Sequence, residues 1–168
     1  SVDANGQISM MRGGVIREDV HWLPRLGYEF ILTPDNKDFS YFGFGPWESY
    51  NDAHHGSLMG YYESNADNEY VNYVRPQEHG NHFNVRELTI GGVKFTGKAF
   101  EANVSNFDAE MLEAANHTDE LKSDGKVHLR IDYKDSGLGS NSCGPALMEK
   151  YQFADKQIVF EFKISPVK

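Results

Sequence analysis

The chain has one cysteine, Cys143, in 168 residues. No internal disulfide can form, so the core alone must hold the fold, and the composition suits a reducing compartment. Positive charge is also scarce: 16 Lys and Arg stand against 25 Asp and Glu, for a formal net charge of −9. Phosphate backbones and anionic membranes need a basic face, so nucleic-acid and membrane partners are not expected. No apolar run approaches the ~20 residues of a membrane-spanning helix. No signal-peptide pattern opens the chain. Internal repeats and low-complexity linkers are absent. An initiating Met is missing too, and the start at Ser1-Val2-Asp3 points to a processed product or an excised piece. These absences leave one acidic, soluble domain, spanning 1–168, with a cytoplasmic location expected.

What is present is aromatic. Eleven Phe, nine Tyr and two Trp, within a composition 39% hydrophobic, can fill a real core. Leu26, Tyr28, Phe30 and Leu32 alternate with Gly27, Glu29 and Ile31, a period of two broken only at Ile31. Similar runs predict strands at 8–11, 39–44, 70–74, 85–90, 93–96, 99–104 and 158–164. The cleanest half-buried strand is 127–133, where Val127, Leu129, Ile131 and Tyr133 alternate with His128, Arg130 and Asp132. Residues 12–19 and 48–68 read as irregular. One good helix is expected over 108–115, capped by Asn106 or Asp108, with Met111, Leu112 and Ala115 on its apolar side. Many short strands, one short helix and frequent Gly or Asn turns predict an antiparallel all-β sandwich.

The middle of the chain carries the densest polar chemistry. In Tyr73-Val74-Arg75-Pro76-Gln77-Glu78-His79-Gly80-Asn81-His82, Pro76 holds the preceding residues extended, and Gly80-Asn81 tolerates a turn. A polar corner tied by hydrogen bonds, with Arg75, Glu78 and Asn81 as its members, is one reading. A metal site at His79 and His82 is another, although three or four ligands are needed and no others are signalled. Glu78 is the least ordinary of the carboxylates, but no spacing selects the carboxylate pair that glycosidase chemistry needs. The run from Gly137 to Gly144 is glycine-rich like a phosphate loop but lacks the Lys-Ser/Thr ending. Cys143 within it is either inert or a nucleophile with a distant His. Trp47, Tyr50, Tyr61 and Tyr62 suit either the core or stacking on sugar faces. Asn103-Val104-Ser105 and Asn116-His117-Thr118 match the N-glycosylation pattern.

Six ordered blocks resemble the C-terminal domain of bacterial β-galactosidases of glycoside hydrolase family 2. The central segment, with Val85-Arg86, is similar to Y-x-R-P-Q-E-N-G-N-R-x-x-V-R. Leu23-Pro24-Arg25-Leu26-Gly27 resembles L-P-R-x-G, and the segment from Gly43 to Tyr50 resembles G-x-G-P-x-E-N-Y. Leu112, His117, Glu120 and Leu121 follow L-x-x-A-x-H-x-x-E-L. Leu129-Arg130-Ile131-Asp132 and Gly137 to Pro145 are similar to L-x-I-D and G-x-G-x-x-S-W-x-P.

The resemblance implies part of an antiparallel β-supersandwich similar to galactose mutarotases, in a retaining β-galactosidase that hydrolyses terminal β-D-galactosides. The catalytic glutamates would belong to an upstream TIM barrel or a large subunit, so no catalytic residue and no metal ligand is carried onto this chain. No cofactor is implied for this segment, and magnesium and sodium are implied only for a whole enzyme. The last block implies substrate contact by Asn141, Ser142 and Cys143. The family's sugar-stacking Trp is Cys143 here, its Asn is His79 and its Arg is His82. A galactoside substrate and a homo-oligomer are the other partners implied. Rival readings are a non-catalytic carbohydrate-binding or small-subunit assembly module, and an aldose epimerase relative with a paired His and Glu in a concave sheet.

Overall fold

The computed structural model describes residues 1–137 and 146–167. Period-two spacing sets apolar side chains on one face of each strand, and those faces must be buried against one another. Among the described residues lie eight strands: β1 (Ile8–Val15), β2 (Arg25–Leu32), β3 (Asp38–Gly45), β4 (Leu58–Asn65), β5 (Asn81–Ile90), β6 (Val93–Ser105), β7 (Val127–Asp135) and β8 (Gln157–Pro166). Every pairing between them is antiparallel. The order is β1-β8-β6-β5-β3-β4, and β7 carries β2 as a second branch from β6.

The branch makes the sandwich. Val93 to Gly97 of β6 pair with β8, whereas Glu101 to Ser105 pair with β7. Two neighbours therefore leave the same side of one strand at different points. β2 comes to face β8 and the first half of β6 across the interior, with the Tyr28 ring 5.6 Å from Phe162 and the Phe30 ring 5.2 Å from Phe95. Val85, Leu88, Phe100, Val104, Leu129, Ile131 and Phe160 fill the space between. Burying each side chain of this size contributes about 1.5–3 kcal/mol. The all-β antiparallel sandwich expected from the sequence is what forms.

The helix α1 (Ala109–Ala114) is also where the sequence puts it. Asp108 caps it by accepting from the Met111 amide at 2.7 Å, and Leu112 plugs it into the body.

Other elements differ from expectation, each for a physical reason. β1 runs on to Val15 because Arg12, Gly13 and Gly14 pair with Phe160, Val159 and Ile158 through their backbones. β4 forms within 48–68 because it follows β3 along its whole length, from Leu58 opposite Gly45 to Asn65 opposite Asp38. The expected break between 96 and 99 is bridged: β6 is continuous, and Gly97 still pairs with Phe162. The segment 70–74 is not a strand; no sheet edge receives it. β7 is not half-buried either, since His128, Arg130 and Asp132 on its polar side are as buried as Leu129 and Ile131. Their polar face looks onto the central corner.

Candidate functional site

Residues 70–80 have no ladder, so side chains satisfy their backbone instead. One oxygen of Glu48 accepts from the Gly80 amide at 2.8 Å, and the other accepts from the Tyr73 hydroxyl. Gly80 sits at φ +68°, and a Cβ there would press on the Glu69 carbonyl. Asn81 Nδ2 donates to the Ser49 carbonyl at 3.0 Å and to Glu101 Oε2 at 2.6 Å. Asn103 Nδ2 reaches back to the His79 carbonyl. That use of its amide, with near-complete burial, takes Asn103 out of reach of glycosylation, whereas Asn116 is exposed.

Beneath the corner lies a charge network. Arg25 opens β2 and donates Nη1–H to Glu78 Oε2 at 2.7 Å. Its Nε and Nη2 both donate to Asp132 Oδ2 on β7, Nε at 3.2 Å. Gly27 has to be glycine, because a Cβ would overlap the Asp132 carboxylate. Arg130 donates to Asn103 Oδ1 at 3.0 Å and to the Phe107 carbonyl at 3.1 Å, and its Nε lies 3.3 Å from Glu29 Oε1. Glu101 accepts from the Asp135 amide at 3.0 Å.

Electrostatics follow from this crowding. Burial opposes the Arg25 charge, but Glu78, Asp132 and Asp135 outweigh it and raise its pKa above the ordinary value. Burial pushes Glu101 up to about 7, against the Asp135 amide and the Asn81 donor that lower it. Asp132 is raised by burial in spite of Arg25. The buried Tyr50 hydroxyl is raised by burial, then by Glu78, Glu48 and Asp135.

These carboxylates are acceptors for guanidinium, amide and backbone donors. A glycosidase pair instead flanks an open bond, with ~5–5.5 Å between carboxyl groups in the retaining case. A cleft of about 320 Å³ beside the network is lined by Arg25, Gly27, Tyr28, Asp108, Arg130 and Asp132. The arginines at its floor already donate to protein acceptors.

The structure brings Glu78 and Asn81 into this network and leaves Arg75 outside it. Arg75 reaches across to α1 and donates to the Glu113 carbonyl at 3.2 Å, with more than half its side chain exposed. Asn141, Ser142 and Cys143 lie outside the described residues. Of the aromatic candidates, Trp47 is 73% exposed on its loop and Tyr50 is buried. Tyr61 and Tyr62 are on β4 rather than in a loop; Tyr61 is open to solvent, and the Tyr62 hydroxyl donates to the Leu58 carbonyl at 2.8 Å.

The two histidines of the corner do not converge. The His79 Nδ1 lies 2.8 Å from the Gln77 carbonyl and its ring stands edge-on to Tyr70. The His82 Nε2 is 2.9 Å from Glu69 Oε2, and its ring stacks 4.1 Å from Tyr41. Ser64 donates to the other oxygen of Glu69. Among the described residues, no cluster of three His, Cys, Asp or Glu could hold a metal ion. The Glu69–His82 pair is sealed in the core, so it is no sugar-ring epimerisation site.

Sequence reasoning missed Arg25, Glu48, Glu101, Asn103, Arg130 and Asp132. A signal existed: Arg25, Glu48, Glu78, Asn81, Arg130 and Asp132 all stand in family-like blocks far apart in the chain, and the fold brings those blocks together.

Fold and network together define an antiparallel β-sandwich module whose charged residues are turned inward to fix a corner. The family model described as "Beta galactosidase small chain" matches residues 1–164. The beta-galactosidase of Actinobacillus pleuropneumoniae is 35% identical over 161 residues, which cover 95% of this chain and 16% of that relative. The beta-galactosidase of Kluyveromyces lactis is 36% identical over 152 residues, 84% of this chain and 14% of the relative. That of Staphylococcus xylosus is 31% identical over 148 residues, 85% and 15% respectively. The chain belongs to the β-galactosidase small-chain family. It spans only 14–16% of the length of these relatives. Among the described residues, no helix is long and apolar enough to cross a membrane.

Proposed function

We propose that this chain is the C-terminal module of a retaining β-galactosidase acting on terminal β-D-galactosides. Its part is to support a catalytic barrel, or a separate large subunit, and to complete the mouth of the substrate site. The observation that carries the reading is the family match over residues 1–164 together with relatives named beta-galactosidase. The charge network supports it, because its carboxylates are engaged inside the module rather than arranged around an open bond. The catalytic carboxylates then come from the rest of the enzyme, and the isolated chain hydrolyses no galactoside.

The residues Asn141, Ser142 and Cys143 supply the substrate contacts in this reading. A thiol offers no ring face, so aglycone stacking is weaker than with a Trp at that position.

Nitrophenyl galactoside hydrolysis tests the reading, with the chain alone and with the remainder of its enzyme. The expected result is no turnover alone and turnover on recombination. Turnover by the pure chain, or full activity of the remainder without it, overturns the proposal. Within the active assembly, Cys143→Trp is expected to lower the KM for a disaccharide; an unchanged KM removes the Cys143 contact.

A further inference from the structure

Carboxylates outnumber guanidinium groups beneath the corner. The Arg25 guanidinium already donates to Glu78 and Asp132. Asp135 Oδ2 is 3.9 Å from its Nη2, beyond hydrogen-bond distance, and is a buried oxygen without a hydrogen-bond partner among the described residues. Arg130 is committed to Asn103, the Phe107 carbonyl and Glu29. Facing Asp135 from the packed elements are Arg25 on β2, Glu78 on the corner, Glu101 on β6 and Asp132 on its own strand. Tyr50 also lies within its field, and the Asp52 carboxylate stands where a Cβ on Gly137 would go. A fixed negative charge at Asp135 would thus meet the carboxylates of Glu78, Asp132 and Glu101, and the guanidinium beside it is already shared by Glu78 and Asp132.

The backbone beside Asp135 is a junction. Its amide donates to Glu101, and the Ser136 amide donates to the Pro24 carbonyl at 2.8 Å. The Ser136 hydroxyl donates to the Leu23 carbonyl at 2.7 Å and accepts from the Phe153 amide at 2.9 Å. The Gly137 amide donates to the Tyr151 carbonyl at 3.2 Å. This one strand end therefore ties together the entry to β2 and the segment before β8.

We propose that Asp135 carries a proton in the folded protein at neutral pH and acts as a proton-dependent latch: its ionisation under alkaline conditions releases the 135–137 junction from segments 23–25 and 151–153. A neutral carboxyl also gains an O–H donor, which a site crowded with carboxylate acceptors can satisfy. Burial, opposed by Arg25 and reinforced by Glu101, Glu78 and Asp132, pushes the Asp135 carboxyl up to about 9. The inference does not depend on the galactosidase reading, because the 168-residue chain itself is measured.

Carboxyl-carbon NMR titration of the chain reads the proton directly, and amide exchange read as protection factors reads the junction. The Asp135 carboxyl is expected to titrate near pH 9, with protection at Ser136, Gly137 and Phe153 falling at least tenfold over the same interval. Asp135→Asn, which mimics the protonated form, is expected to hold that protection through the interval. Titration in the ordinary aspartate range, near ~4, overturns the proposal. So does ionisation near pH 9 with unchanged protection, or an Asn variant that loses protection as the parent does. If the Asn variant does not fold, the titration and exchange of the parent chain still decide.

Discussion

Arg25 and Glu78 are 53 residues apart and meet at 2.7 Å, one at the start of β2 and the other on the unpaired central corner. Residues 70–80 have no sheet partner, so this contact and its neighbours do the work that a ladder does elsewhere.

Arg25→Met should therefore loosen the corner and strand Asp132 and Glu78 without their donor. Removing one partner of a buried ion pair costs about 3–5 kcal/mol, and the partial exposure of Arg25 places the expected loss near the lower end. Urea unfolding monitored by tryptophan fluorescence measures it. Arg25→Lys keeps the charge but not the fork, and an intermediate loss is expected.

Gly27→Ala and Gly14→Ala form a matched pair within strands. At Gly27 a Cβ overlaps the Asp132 carboxylate and the backbone of β7; at Gly14 it meets nothing within 4 Å. Overpacking costs about 1–3 kcal/mol. The first substitution should lower the unfolding free energy by that amount, and the second should leave it nearly unchanged. Equal effects would falsify the account of Gly27.

Glu101 gives a pH dependence whose sign is fixed. Its folded pKa is raised by burial from the ordinary value of 4.5 to about 7. Below pH 4.5 it is protonated in both states and costs nothing. Between 4.5 and 7 the folded chain keeps a proton that the unfolded chain has released, so stability falls as pH rises. At about 1.4 kcal/mol per pH unit, the loss approaches 3 kcal/mol by pH 7 and is then complete. Glu101→Gln should remove this part of the slope and leave the part that Asp135 contributes, when urea unfolding is repeated across the interval.

His82 stands where the family-like segment has Arg. It is fully buried between Glu69 and the Tyr41 ring. His82→Arg has to place a longer side chain there and should destabilise by about 1–3 kcal/mol through overpacking. His82→Phe keeps the ring but leaves Glu69 short of a donor, with an expected cost of about 1–3 kcal/mol. Thermal unfolding of both variants measures this, and Glu69→Gln combined with His82→Phe should cost less than the sum of the two alone.

Legibility in the sequence followed periodicity. The strands β2, β7 and β8 were readable because Tyr28 and Phe30, Leu129 and Ile131, and Phe160 and Phe162 each alternate with polar residues over most of a strand. β4 was hidden because Gly60 interrupts its apolar face and Tyr61 and Tyr62 fall on opposite faces. The aromatic run 70–74 looked like a strand because residue type reports fitness for a sheet, not whether an edge is free to receive it. At the site, Glu78 and Asn81 stood out beside a turn, while Arg25, Glu101 and Asp132 looked like ordinary polar residues of strands.

By itself the sequence determined the strand-rich class, the one short helix over 108–115, the lack of an internal disulfide and, through its ordered blocks, the family. These are local or additive properties: side-chain period, capping chemistry and motif order need no third dimension. Only the tertiary structure decided that the polar face of β7 is buried, that His79 and His82 serve separate partners, and that Arg25, Glu78, Asp132 and Asp135 share one site. The cause is the branching of β6. By pairing β8 with its first half and β7 with its second, it brings the polar face of β7 under the central corner, where charges far apart in the chain must neutralise one another away from water.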